Sequence, residues 1–87
     1  MNIRTFDFGE ALNWLDCDRA VTLTLNGIER IYYKDKNGTI ICIPNRKLHL
    51  AYEVKEFKVD AVLSNDWSFI DADIEVLLDS LNNYETN

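Results

Sequence analysis

Glycine, histidine, cysteine and proline are all scarce in this chain of 87 residues, and each scarcity removes a class of function. Gly9, Gly27 and Gly38 are the three glycines. They stand too far apart to build a Gly-rich phosphate loop. His49 is the only histidine, and the two cysteines, Cys17 and Cys42, have no partner at CxxC spacing. A zinc ligand set is therefore not expected. Neither is the nucleophile, base and orienter of covalent catalysis. Basic residues are outnumbered nine to fifteen, giving a formal net charge of −6. Affinity for nucleic acid polymers comes from neutralising phosphates. An acidic chain lacks that attraction, so neither a nucleic acid polymer nor an anionic membrane is an expected partner. No apolar run reaches the ~18 residues of a membrane span, and no apolar segment follows the N-terminus as in a secretory signal. The expectation is a cytoplasmic protein with reduced thiols.

Apolar and aromatic residues, by contrast, are plentiful: 47% of the chain is hydrophobic and 11% aromatic. That suffices for one small core, with material left for a subunit interface, which is a common remedy for small size. The chain reads as one domain over residues 1–87.

Phe8, Ala11, Leu12 and Leu15 fall at i, i+3, i+4 and i+7, one face of a helix. Asp7, three residues before Glu10, fits its N-cap. The period then becomes two. Val21, Leu23 and Leu25 alternate with threonines, as in a half-buried strand. Asn26-Gly27 suits a two-residue type I′ turn, pairing Leu25 with Ile28, Leu23 with Arg30 and Val21 with Tyr32. Arg30 then projects among apolar residues, and such a local inconsistency points to function. Asn37-Gly38 signals a second hairpin. In the same two-residue register Tyr33 opposes Cys42 and Tyr32 opposes Ile43. Ile40, Ile41 and Ile43 suit a central strand covered on both faces. Pro44 ends it. Leu48, Leu50, Tyr52 and Val54 alternate as another strand. Val59, Val62 and Leu63 fit one short helical turn. Trp67 and Phe69 share a face of the last strand. Ile74, Leu77, Leu78 and Leu81 give a C-terminal helix over 73–83, capped by Asp71 or Asp73, with a polar tail over 82–87. The fold class is α+β: a small antiparallel sheet of about four or five strands. It has an N-terminal helix, a short helix before the last strand and a C-terminal helix, with the terminal helices covering its apolar face.

The order of motifs resembles a family of small phage proteins, the second type of Thoeris anti-defence protein. Phe8-Gly9-Glu10-Ala11-Leu12 opens the helix. Leu63-Ser64-Asn65-Asp66-Trp67 is similar to the family's short helix leading into Asp-Trp. Asn26-Gly27 matches the end of a family segment in which arginine and tryptophan precede it; here Leu23 and Leu25 stand at those places. The likeness spans roughly residues 6 to 70. It implies a sponge that binds a nucleotide immune signal without cutting it. That function needs no cofactor, no metal and no catalytic residue, and it operates in the host cytoplasm during infection. It also implies a homo-oligomer, dimer or tetramer, with sites at subunit boundaries.

Without a phosphate loop, such a ligand would rest on arginine and lysine forks and on aromatic stacking. Arg19 and Lys34 lie near each other in the first-hairpin register. Trp14, Trp67, Tyr32, Tyr33 and Tyr52 are aromatic candidates, and Asp66 can accept from a base edge. The expected ligand site is Arg19, Arg30, Tyr32, Asn65, Asp66 and Trp67. His49 reads as a solvent-facing strand residue. Asp16, Asp18, Asp71, Asp73 and Glu75 read as helix-end carboxylates. The competing function is an acidic protein-interaction inhibitor that occupies a basic site on a host defence or nucleic-acid-binding factor.

Overall fold

Three tight turns steer the chain. A computed structural model describes residues 4–70 and 72–86, with side chains to residue 83. At the first turn Asn26 (φ 53°) and Gly27 (φ 77°) are both left-handed. This is the type I′ geometry that matches strand twist. It joins strand β2 (Val21–Leu25) to β3 (Ile28–Lys34). Leu23 opposes Arg30 and Val21 opposes Tyr32, as the sequence pattern requires.

The second turn differs from the sequence expectation by one residue. The Gly38 N–H donates to the Asp35 carbonyl at 3.0 Å, and the Asp35 N–H to the Thr39 carbonyl at 2.8 Å. Gly38 is left-handed (φ 81°). This is a three-residue loop ending in a glycine bulge. The Asp35 carboxylate fixes it by accepting the Asn37 and Thr39 N–H groups, each at 2.9 Å. The extra residue shifts the pairing of β3 with β4 (Ile40–Pro44): Tyr32 opposes Cys42, and Ile31 opposes Ile43. The expected pairs of Tyr33 with Cys42 and Tyr32 with Ile43 are therefore corrected.

The third turn lies in the polar Asn45-Arg46-Lys47 connection after Pro44, and its left-handed geometry is not evident from the sequence. The Lys47 N–H donates to the Pro44 carbonyl at 2.9 Å. Asn45 (φ 49°) and Arg46 (φ 58°) are both left-handed between them. The turn is held to β3 by the Asn45 side chain, which accepts the Glu29 N–H at 3.1 Å, and by Arg46 Nε on the Glu29 carboxylate at 2.9 Å. It deflects the chain into a 3-10 turn (Leu48–Leu50) before the two-residue strand β5 (Tyr52–Glu53). The expected strand through Leu48, Leu50, Tyr52 and Val54 is thus a turn followed by a short edge. The turn packs Leu48 against the Ile31, Ile43 and Leu77 cluster.

Among the described residues the sheet is antiparallel and has six strands in the order β1-β6-β2-β3-β4-β5. This exceeds the expected number by β1 (Thr5–Phe6), a two-residue edge with no readable alternation, and β5 is an equally short edge. Such short edges also offer little template for unwanted pairing. β6 is Trp67–Phe69.

Helices cover both faces of this α+β fold. Helix α1 (Phe8–Asp16) and the single-turn α2 (Val59–Val62) lie on the face carrying Val21, Leu23, Tyr32, Cys42 and Trp67. Helix α3 (Ile74–Thr86) places Leu77 and Leu81 against Ile31 and Ile43 on the other face. Alternation along β3 and β4 feeds both cores, so the expectation of one apolar face is corrected to two. The Asp7 carboxylate caps α1 by accepting the Glu10 N–H at 2.8 Å. The Asp73 carbonyl accepts the Leu77 N–H at 2.9 Å at the start of α3. Asp71, the other expected cap, lies outside the described residues, as does Asn87. Helix α3 runs to Thr86, beyond the Asn83 end read from the apolar pattern.

Candidate ligand-binding cleft

One cross-strand row builds the site. Cys42 sits between Tyr32 on β3 and Tyr52 on β5, all opposite one another. Opposed residues share a face, so the two phenols flank the thiol. Arg30, two residues before Tyr32, projects on the same face. The segment after β5 returns Val54 and Phe57 over this row. Phe57 packs on Tyr32 with ring centroids 5.3 Å apart, on Trp67 at 6.1 Å and on Phe8 at 4.9 Å. Where α1 stops covering the sheet, a cleft of about 100 Å³ remains. Leu25, Arg30, Tyr32, Tyr52, Val54, Phe57 and Ala61 line it, with Glu56, Lys58 and Asp60 at its mouth.

Its polar groups form a chain. Burial pushes the Cys42 thiol up, against hydrogen bonds from both phenols and the field of Arg30. The neighbouring Cys42 thiol, with burial, raises the Tyr52 phenol, and the positive charge of Arg30 opposes that rise. Burial raises Tyr32 strongly. A buried thiol held in its neutral form is a poor nucleophile. The arrangement presents one guanidinium beside aromatic faces, which suits binding. Among the described residues no group of three or more His, Cys, Asp or Glu could hold a metal ion. Both cysteines are free thiols, Cys17 exposed and Cys42 buried.

The six residues expected from the sequence do not form one cluster. Arg30 and Tyr32 line the cleft. Trp67 lies beneath it with 0% of its surface exposed. Its indole N–H donates to the Ala61 carbonyl at 3.0 Å, which makes it a core residue and corrects its reading as a stacking platform. Asn65 and Asp66 are exposed in the loop before β6, where the Asp66 N–H donates to Ser64 Oγ at 3.1 Å. Arg19 lies on the β6 side of the sheet. Its guanidinium stacks 4.2 Å from the Phe69 ring centroid and 5.5 Å from that of Trp14. Lys34 bonds Asp16 at 2.7 Å.

Cys42, Val54, Phe57 and Lys58 were missed. The signal for Cys42 was present: counting the Gly38 bulge puts Cys42 opposite Tyr32. A larger depression of about 480 Å³ lies between the β3–β4 hairpin and the start of α3. It is a more open groove with no aromatic wall, lined by Lys34 and Lys36 among Asp18, Asp35, Asp73 and Glu75. The aromatic cleft is the better site on chemistry. Among the described residues no helix is long and apolar enough to cross a membrane.

Compared with family models, with curated proteins and with solved structures, the chain matches none.

Proposed function

We propose that this protein sequesters a small nucleotide signal, a cyclic nucleotide or an ADP-ribose derivative, and releases it unchanged. On this reading it is an anti-defence sponge acting in the host cytoplasm, consistent with its resemblance to the phage family. The observation that carries the reading is that Arg30 lines one cleft together with the rings of Tyr32, Tyr52 and Phe57. A nucleotide offers the complement: anionic or acceptor atoms for the guanidinium and a π-face for the rings.

A volume of about 100 Å³ falls short of the roughly 300–1,000 Å³ of small-molecule sites. One chain therefore holds one moiety of the ligand, and a second copy supplies the remaining walls. Helix α2 offers the surface for that copy. Val59 and Leu63 are 72% and 74% exposed, and Val62 is exposed beside them. Ala61 of the same helix lines the cleft.

The test is calorimetry with cyclic dinucleotides, cyclic trinucleotides and cyclic ADP-ribose isomers. Denaturation and chromatography of the ligand follow, with sedimentation in parallel. Tight binding, intact recovered ligand and a particle heavier than the 10.1 kDa chain are expected. A hydrolysed product would make the protein an enzyme. No binding to any member would leave the acidic-inhibitor function in its place, and a monomer at all concentrations would remove the shared site.

A further inference from the structure

The cleft is lined by two cations, Arg30 and Lys58, and two carboxylates, Glu56 and Asp60. A phosphate subsite requires a surplus of donors, and carboxylates beside it repel the ligand. A group with acceptors on one edge and donors on the other fits this balance. The cleft is also small and aromatic, so a flat ring enters it more readily than a tetrahedral anion with its hydration shell. Asp60 spends one oxygen on the Ala61 N–H at 3.0 Å. Glu56 is exposed and has no hydrogen-bond partner among the described residues.

We infer that the cleft is a base pocket selective for guanine; this rests on the nucleotide-binding reading. Guanine presents O6 and N7 as adjacent acceptors, the pair that an arginine fork recognises. Its N1–H and N2 amino group are donors on the next edge, and Glu56 accepts them. The ring stacks on Phe57. Lys58, at the rim, meets the phosphate that stays outside. Adenine inverts this pattern. Its 6-amino group faces the guanidinium, and its N1 lone pair faces the carboxylate. A site built to pair polar groups rejects a ligand that leaves them unpaired.

The experiment titrates the intact protein and Glu56→Gln with cyclic di-GMP, cyclic di-AMP, GMP, IMP and AMP, with thermal melts confirming that both forms fold. Guanine ligands should bind the intact protein roughly 5- to 150-fold more tightly than adenine ligands, the span of one good bidentate contact. IMP, which lacks the 2-amino group, should fall between. Glu56→Gln should lose most of the preference by weakening guanine ligands alone. Equal binding of guanine and adenine, or a preference that survives Glu56→Gln, overturns the guanine assignment and leaves nucleotide sequestration standing. Failure of every nucleotide, including those of the wider panel, overturns both.

Discussion

Replacing Trp67 by phenylalanine should destabilise the protein by about 2–3 kcal/mol without altering ligand contacts. The indole is fully buried and touches three aromatic neighbours, Tyr32 at 5.1 Å, Phe8 at 5.9 Å and Phe57 at 6.1 Å between centroids. Phenylalanine keeps a ring there, so part of each aromatic contact survives. Two losses remain. The Ala61 carbonyl loses its 3.0 Å bond from the indole but keeps a longer one from the Ser64 N–H at 3.3 Å. The hydrogen-bond cost is therefore about 1 kcal/mol, at the low end for a buried acceptor. The space left by the second ring adds roughly 1–2 kcal/mol, less than the ~3–5 kcal/mol of a full truncation to alanine. Against a total of roughly 4–13 kcal/mol for a chain of this length, the loss is large. Urea denaturation followed by far-ultraviolet circular dichroism should show a lower midpoint at unchanged slope. An unchanged midpoint would refute the burial argument. Unchanged stability with abolished nucleotide binding would return Trp67 to the ligand site.

Other expectations separate backbone, core, titration and site. Gly27→Ala and Gly38→Ala should each cost about 1 kcal/mol in denaturant melts, from positive φ alone, because an added Cβ meets nothing within 4 Å at either position. Leu77→Ala should cost about 2–4 kcal/mol by emptying the core under α3. Calorimetry should show its ligand affinity intact, since the cleft lies on the opposite face. Burial raises the Tyr32 phenol and the Cys42 thiol, and the Cys42 thiol together with burial raises the Tyr52 phenol. A raised folded-state pKa gives stability that is full below the unfolded value and lost above it. Unfolded values are ~8.5 for cysteine and ~10 for tyrosine. Urea midpoints should thus stay level through neutrality and fall above pH ~9.

Elements with strong local signals were legible in the sequence. The α1 stripe with its Asp7 cap, the Asn26-Gly27 hairpin and the apolar run of β4 each carry their own chemistry. Misreadings arose where one residue of loop length decides. Gly38 was counted as part of a two-residue turn, yet the Asp35 carboxylate draws the loop into a bulge, and the Tyr32–Cys42 pair follows from that. The Asn45–Arg46 turn hides because arginine rarely adopts a left-handed backbone, and its ion pair with Glu29 is long-range. Two of the six expected residues, Arg30 and Tyr32, line the candidate cleft. Arg30 stood out as a charge on an apolar face, and Tyr32 shares that face. Phe57 carries no periodic signal, because a loop places it. Trp67 was over-read, since an aromatic beside a short motif looks the same in sequence whether it is core or platform.

On the proposed function, nucleotide enters the cleft between β3, β5 and the segment before α2. A two-dimensional nuclear magnetic resonance titration of the intact protein with cyclic di-GMP tests it most directly. The largest shifts should fall on the Arg30 side chain, Tyr52, Phe57 and Lys58, with Arg19, Asn65 and Asp66 unmoved. Shifts centred on Asn65 and Asp66 or on the Arg19 stack, with the cleft silent, would contradict it.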